Sequence, residues 1–251
     1  MYVQAIICII FLYTGTSAAN EVDRLIFFHI PKTGGTTVTF LLNQQFDPSL
    51  ICVDDFYYQV EGKTIKDLED FQFFRGHFFF NSNLGYLENA KKIVILRDPV
   101  QRIVSEQKFF RRFYIGRESD LYKEHFLQPG EPIDTISNQM CLFLSSFDRN
   151  DTAITPEMHL ASAKNNLLNE FFFVGITERL EVSLRGLYKL MGWQIPQNIP
   201  RIGSLEVNLE NITSQILEEI KQRNLLDIEL YEFAKELCNS KLHQLGICED
   251  R

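Results

Sequence analysis

The sequence predicts a three-layer α/β fold, with a central parallel sheet of about five strands between helices and a helical extension at the C-terminal end. Three observations lead there. The strand candidates are continuous apolar runs rather than alternating ones, so both faces of the sheet are buried. They alternate along the chain with segments of helical periodicity, as parallel strands joined by crossover helices must. The first of them runs into a turn rich in glycine and threonine that opens a helix, an arrangement suited to the ligand end of an open sheet.

In order, Arg24–Ile30 is expected as a strand and Thr36–Phe46 as a helix. Leu50–Asp54 reads as a short strand, Phe71–Gly76 as another, and Lys92–Leu96 (KIVIL) as the clearest of all. Pro99–Phe113 follows as a helix with proline in its first turn, where the missing N–H costs nothing. Ile133–Phe147 and Glu157–Asn169 are expected to be helical, Phe171–Ile176 to be the last buried strand, and Glu178–Met191 a helix stopped by Gly192. The phenylalanine runs Phe78–Phe80 and Phe171–Phe173 suggest buried strands. Gln194–Gly203, with Pro196 and Pro200, reads as a loop after the sheet, and Ser214–Leu245 as helix throughout.

Composition bounds the function. With 45% hydrophobic and 23% charged residues the chain is an ordinary globular protein. A net charge of −8 excludes a general nucleic-acid binder, which needs a basic face, but leaves room for a local cationic site. Residues 1–19 read as a secretory signal peptide or short hydrophobic anchor: Ala5–Tyr13 is apolar and small residues run on to Ala19. Membrane association is expected only through this segment. Residues 20–251 then form one domain in the secretory pathway, in the Golgi lumen or secreted, with a cytoplasmic chain as the alternative. The sequons at Asn150 and Asn211 fit the secretory route. Without Cys8 four cysteines remain, which are either paired, with Cys238 and Cys248 the more plausible pair, or simply buried thiols, and no CxxC pattern points to zinc.

The chemistry concentrates in Phe27-Phe28-His29-Ile30-Pro31-Lys32-Thr33-Gly34-Gly35-Thr36-Thr37. Gly34 and Gly35 allow the backbone to approach an anion closely, and the following helix offers unpaired N–H groups and its positive dipole end. Lys32 adds a mobile cation, and Thr33, Thr36 and Thr37 add hydroxyl donors. This is not the GxxxxGK[ST] loop of a nucleotide triphosphatase, because Lys32 precedes both glycines. A second segment, Ile93-Val94-Ile95-Leu96-Arg97-Asp98-Pro99, brings Arg97 to the end of a buried strand, and Ser105 follows about two turns into the next helix. Both can reach one phosphate if that helix packs alongside.

Together these segments resemble the sulfotransferase superfamily. The forms HIPKTGGTT and LRDPVQRIVSE are most similar to its carbohydrate branch, especially heparan sulfate 6-O-sulfotransferases and related bacterial enzymes, and looser similarity runs through Gly76-His77, Asn138 and Phe173–Arg179. The resemblance implies a P-loop-like topology. It also implies 3′-phosphoadenosine 5′-phosphosulfate as co-substrate, without a metal. Lys32, Thr33, Gly34, Gly35, Thr36 and Thr37 would hold its 5′-phosphosulfate, and Arg97 with Ser105 its 3′-phosphate. His77 is the implied base for an acceptor hydroxyl and Lys32 the implied stabiliser of the leaving oxygen. The implied partner is a carbohydrate, of polysaccharide or glycosaminoglycan type. The basic and aromatic stretch Arg102–Arg117 either guides such an acceptor or is a solvated helix face over core aromatics. Two other readings stay open: a small-molecule kinase with a variant phosphate loop, and a non-catalytic nucleotide-binding module.

Overall fold

The computed structural model describes residues 24–52, 63, 65–82, 84, 87, 90–114, 137–203, 209 and 212–247. The proposed signal segment, Asn211 and Cys248 lie outside them. No helix among the described residues is long and apolar enough to cross a membrane.

Among the described residues four strands form the sheet: β1 (Arg24–Phe28), β2 (Phe73–Gly76), β3 (Ala90–Leu96) and β4 (Phe171–Ile176), in the order β2-β1-β3-β4 and all parallel. The expected strand at Leu50–Asp54 is a correction. Pro48–Leu50 is a 3₁₀ turn, among the described residues of the segment only Ile51 bridges to Phe73, and Val53 and Asp54 lie outside them. Proline at the start of that turn and the Asp47 side chain, which accepts from the Ser49 amide, hold it as a turn rather than a strand. Phe78–Phe80 is likewise buried without being a strand.

The period-two alternation of β1 assigns its side chains to two cores. Leu25 and Phe27 face α1 (Gly35–Asn43) and α6 (Leu180–Met191), meeting Val38, Leu41, Leu184 and Leu187. Ile26 and Phe28 face the opposite layer of α4 (Gln139–Leu144), α5 (Pro156–Asn169) and α8 (Leu225–Gln244). A register shift in the β3–β4 pairing explains why Phe171 and Phe173, two apart, enter different cores. Besides these, α2 (Ile65–Leu68) precedes β2, and α3 (Pro99–Tyr114) leads away from β3.

The expected helix Ile133–Phe147 is confined, among the described residues, to Gln139–Leu144, and the expected single tail helix is two: α7 (Ser214–Arg223) and α8. Both departures have one cause. Asn138, in the left-handed region at φ 50°, accepts the amides of Leu226 and Asp227 through its side chain, so it caps α8. Asp227 in return accepts the amides of Met140 and Cys141, capping α4. Asn224, where the tail breaks, accepts the Asn138 amide and donates to the Ile220 carbonyl. Three polar side chains, of which Asn224 and Asp227 are fully buried, therefore satisfy two helix starts at once, which a continuous helix through Asn224 would forbid.

Candidate active site

The C-terminal ends of the four parallel strands converge on one cleft of about 1140 Å³, and the segment after each strand contributes to its wall. After β1 comes the loop Pro31–Gly34. Lys32 has φ 69° and Gly34 φ 85°, so left-handed residues flank Thr33 on both sides. Such alternation turns successive N–H groups toward a common point, and α1 begins directly behind it with its own unpaired amides. For Lys32, a residue with a Cβ, the left-handed conformation costs about 1–2 kcal/mol, so the surroundings must impose it. They do: Arg97 Nη1 donates to the Lys32 carbonyl at 3.1 Å, and the Lys32 ammonium lies 4.0 Å from the centre of the Phe109 ring on α3.

Burial lowers the pKa of Lys32, with the Arg97 charge acting in the same direction and Glu106 opposing. Arg97 lies at the end of β3, its Nε 4.0 Å from Glu178 Oε1. The Asp98 amide donates to that same carboxylate oxygen at 3.1 Å, and Tyr231 of α8 donates to the other at 2.8 Å. Asp98 caps α3 by accepting from the Gln101 amide at 2.8 Å. Ser105, buried two turns along α3, borders the cleft with Arg97 and Lys32.

Thr33, Thr36 and Thr37 separate in role. Thr33 is fully buried and its hydroxyl donates back to the Ile30 carbonyl at 2.9 Å, so it closes the turn rather than facing the cleft. Thr36 is exposed at the cleft. The Thr37 hydroxyl accepts from the Ile202 amide at 3.1 Å, tying the loop Gln194–Gly203 across the start of α1. That loop brings Arg201 to the cleft wall. The Thr177 hydroxyl, just past β4, lies 2.8 Å from the Thr33 carbonyl and 3.0 Å from that of Leu96, joining three strand ends.

The register of β1 on β2 pairs Phe28 with Gly76 and continues for one residue, so His29 and His77 stand side by side. Their rings stack with centroids 4.4 Å apart, and Nδ1 of His77 is 2.7 Å from the His29 carbonyl. A carbonyl only accepts, so Nδ1 carries the proton and Nε2 is the basic nitrogen. The His29 ring rests on Gly35: a Cβ there would fall 1.8 Å from His29 Nε2. Burial, aided by the neighbouring His77 and by the charges of Lys32 and Arg75, pushes the His29 pKa down to about 3. Of the other histidines, His159 is buried with Nδ1 2.9 Å from Ser145 Oγ, and His125 lies outside the described residues.

The structure thus gathers Lys32, Gly34, Gly35, Thr36, Thr37, His77, Arg97 and Ser105 around one cleft, whereas Thr33 is buried behind the loop and does not line it. Arg102 departs from the expected exposed basic stretch. It is fully buried, with Nη1 paired to Glu106 at 3.0 Å and to Gln139 at 2.8 Å, so it joins helices rather than facing an acceptor. Sequence reasoning assigned no role to Thr177, Glu178, Tyr231 or Arg201. The one signal was the looser family similarity through Phe173–Arg179, because a hydroxyl or a carboxylate that serves backbone groups has no motif of its own.

The chain is 25% identical over 197 residues to heparan sulfate 2-O-sulfotransferase 1 of Mus musculus, covering 64% of this chain and 53% of that protein. The Gallus gallus protein of the same name is 26% identical over 198 residues, covering 65% and 54%. The chain therefore spans about half the length of the curated relatives it matches. Both are named for the 2-O position, whereas the motif forms resembled 6-O enzymes. A family model described as "Sulfotransferase family" matches residues 17–234, most of the chain, and the chain belongs to that family.

Proposed function

We propose that the chain transfers a sulfuryl group from 3′-phosphoadenosine 5′-phosphosulfate to a hydroxyl of a carbohydrate, of the heparan sulfate type named for its relatives. The observation that carries this reading is the fixed tautomer of His77, whose basic nitrogen belongs to a ring bordering an anion-binding cleft. Kinase and non-catalytic readings have no comparable observation behind them.

The size and lining of the cleft support this reading. The cleft exceeds the roughly 300–1,000 Å³ of small-molecule sites, and its wall includes Lys32, Arg97 and Arg201 together with the start of α1. In the transfer, the acceptor oxygen forms a bond to sulfur as sulfur's bond to the bridging oxygen of the 5′-phosphate breaks. That oxygen leaves with the electron pair as adenosine 3′,5′-bisphosphate, and the acceptor proton passes to His77 Nε2. Lys32 and the loop amides stabilise the charge that grows on the leaving oxygen, which favours the transition state over the ground state. Arg97 and Ser105 hold the 3′-phosphate, and Arg97 also sets the loop through the Lys32 carbonyl. Ile199–Gly203 covers the nucleotide. We place the protein in the secretory pathway, most simply the Golgi lumen, with residues 1–19 as its signal or anchor.

The test is transfer of labelled sulfate from the donor to heparan sulfate by the wild-type chain and by His77→Ala. Incorporation by the wild type and none above background by the variant is expected; equal incorporation by both would remove His77 from the reaction.

A further inference from the structure

His77 stands where two cavities meet. The large cleft holds Lys32, Arg97 and Ser105, whereas a smaller cavity of about 310 Å³ extends toward the edge strand β2. The two share His29, Gly35, Thr36 and His77, but Arg75 and Thr39 line only the smaller one. A base between two adjoining compartments can face the donor's sulfur from one and an acceptor hydroxyl from the other.

The smaller cavity has the chemistry of a saccharide subsite with one charged anchor. Arg75 pairs with Phe27 in the sheet register, so its side chain emerges on the α1 side. There Nε donates to Asn43 Oδ1 at 3.0 Å, which fixes the plane of the guanidinium at the cavity wall. The described wall carries a guanidinium, two imidazoles and two threonines, and no carboxylate. On α1, Thr36, Thr39, Phe40 and Asn43 follow the i, i+3, i+4, i+7 spacing of a single helical face. That face is the outward one, with Phe40 48% exposed, while Thr37, Val38, Leu41 and Leu42 are buried behind it. A sugar lying along it meets hydroxyl partners, an aromatic surface for its C–H groups, and at the far end a planar cation.

We propose that this cavity is the acceptor subsite, and that Arg75 selects acceptors by binding a carboxylate or sulfate ester on the sugar whose hydroxyl faces His77. This rests on the sulfotransferase reading above and names the acceptor class: an anionic saccharide rather than a neutral one. A guanidinium oriented by a second residue grips a planar oxyanion through paired hydrogen bonds, which a lysine cannot reproduce.

The test uses the full chain, the polysaccharide named above, and its carboxyl-reduced and desulfated forms. Arg75→Gln is expected to raise KM for the native polymer by about tenfold or more, with kcat and the Kd for adenosine 3′,5′-bisphosphate within about twofold. Arg75→Lys recovers part of that loss, and Asn43→Ala raises KM without changing charge. One of the two altered polymers raises the wild-type KM by a similar factor and leaves Arg75→Gln unaffected, which identifies the anion that Arg75 binds. An unchanged KM for Arg75→Gln, or equal wild-type KM for all three polymers, overturns the proposal. So does a loss of bisphosphate binding in Arg75→Gln, since Arg75 would then serve the donor or the fold. Failure of the wild-type chain to bind the bisphosphate at all would instead overturn the sulfotransferase reading on which it rests.

Discussion

The backbone carbonyl of His29 receives the Nδ1 proton of His77 at 2.7 Å, and the two imidazoles stack 4.4 Å apart. One strand end thus sets the tautomer of a side chain on its neighbour. On the proposed mechanism, substituting His77 by alanine removes proton abstraction while leaving the Lys32–Gly35 loop intact. We predict a fall in kcat of about 10²–10⁴-fold, with the Kd for adenosine 3′,5′-bisphosphate changed by less than about threefold. Steady-state kinetics beside calorimetry reads both, and parallel losses would assign His77 to donor binding.

Gly35 exists for His29 as much as for an anion. A Cβ at position 35 would overlap the imidazole, which is itself stacked on Phe27 and His77, so one of them must shift. Gly35→Ala should therefore displace His29, release the tautomer constraint and lower kcat by more than tenfold, at a stability cost of about 1–3 kcal/mol. Chemical denaturation with kinetics on the folded variant separates the two effects. Retention of full activity would mean that His77 is oriented by something else.

Arg97 is reached from the C-terminal extension through Glu178 and Tyr231. Removing the guanidinium deletes a charge-assisted contact worth about 1.5–3 kcal/mol, so Arg97→Ala should weaken bisphosphate binding by roughly 10- to 100-fold. Adenosine 5′-phosphate, without the 3′-phosphate, should bind the variant and the wild type almost equally. Tyr231→Phe loses only the anchor on Glu178 Oε2 and should weaken bisphosphate binding by a few-fold. Equal losses for both nucleotides in Arg97→Ala would mean that the arginine acts only through the Lys32 carbonyl.

The strands β1, β3 and β4 and the helices that follow them were legible because a buried parallel sheet writes continuous apolar runs into the chain. That Lys32, the glycines, Arg97 and Ser105 border one cleft was legible because they follow the ends of parallel strands, where an open sheet has its crevice. What stayed hidden depends on partners far apart in sequence. Asn138 and Asp227 exchange helix caps across the core, so neither helix start shows a local signal. Glu178 serves an amide and a phenol. Leu50–Asp54 has strand composition, yet Pro48 and Asp47 take its start into a turn.

Burial of His29 sets an acid limit on stability. Its pKa is about 3 in the fold against 6.5 for the ordinary side chain, so between these values the unfolded chain binds the extra proton. Stability therefore rises with pH across that window, by at most about 1.4 kcal/mol per pH unit from this group, and levels off above it. His29→Phe should flatten the slope between pH 4 and 6 in denaturant titrations, relative to the wild type. An identical slope would show that His29 is protonated within the fold.

The central claim is that the loop holding Lys32 and the strand end holding Arg97 grip one bisphosphorylated nucleotide as a sulfuryl donor. Calorimetry of the wild-type chain with adenosine 3′,5′-bisphosphate, with and without Mg²⁺, and with ATP under the same conditions tests it most directly. Metal-independent binding of the bisphosphate, at least about tenfold tighter than ATP, is the predicted result. Preference for ATP in the presence of Mg²⁺ would contradict it and return the site to phosphoryl transfer.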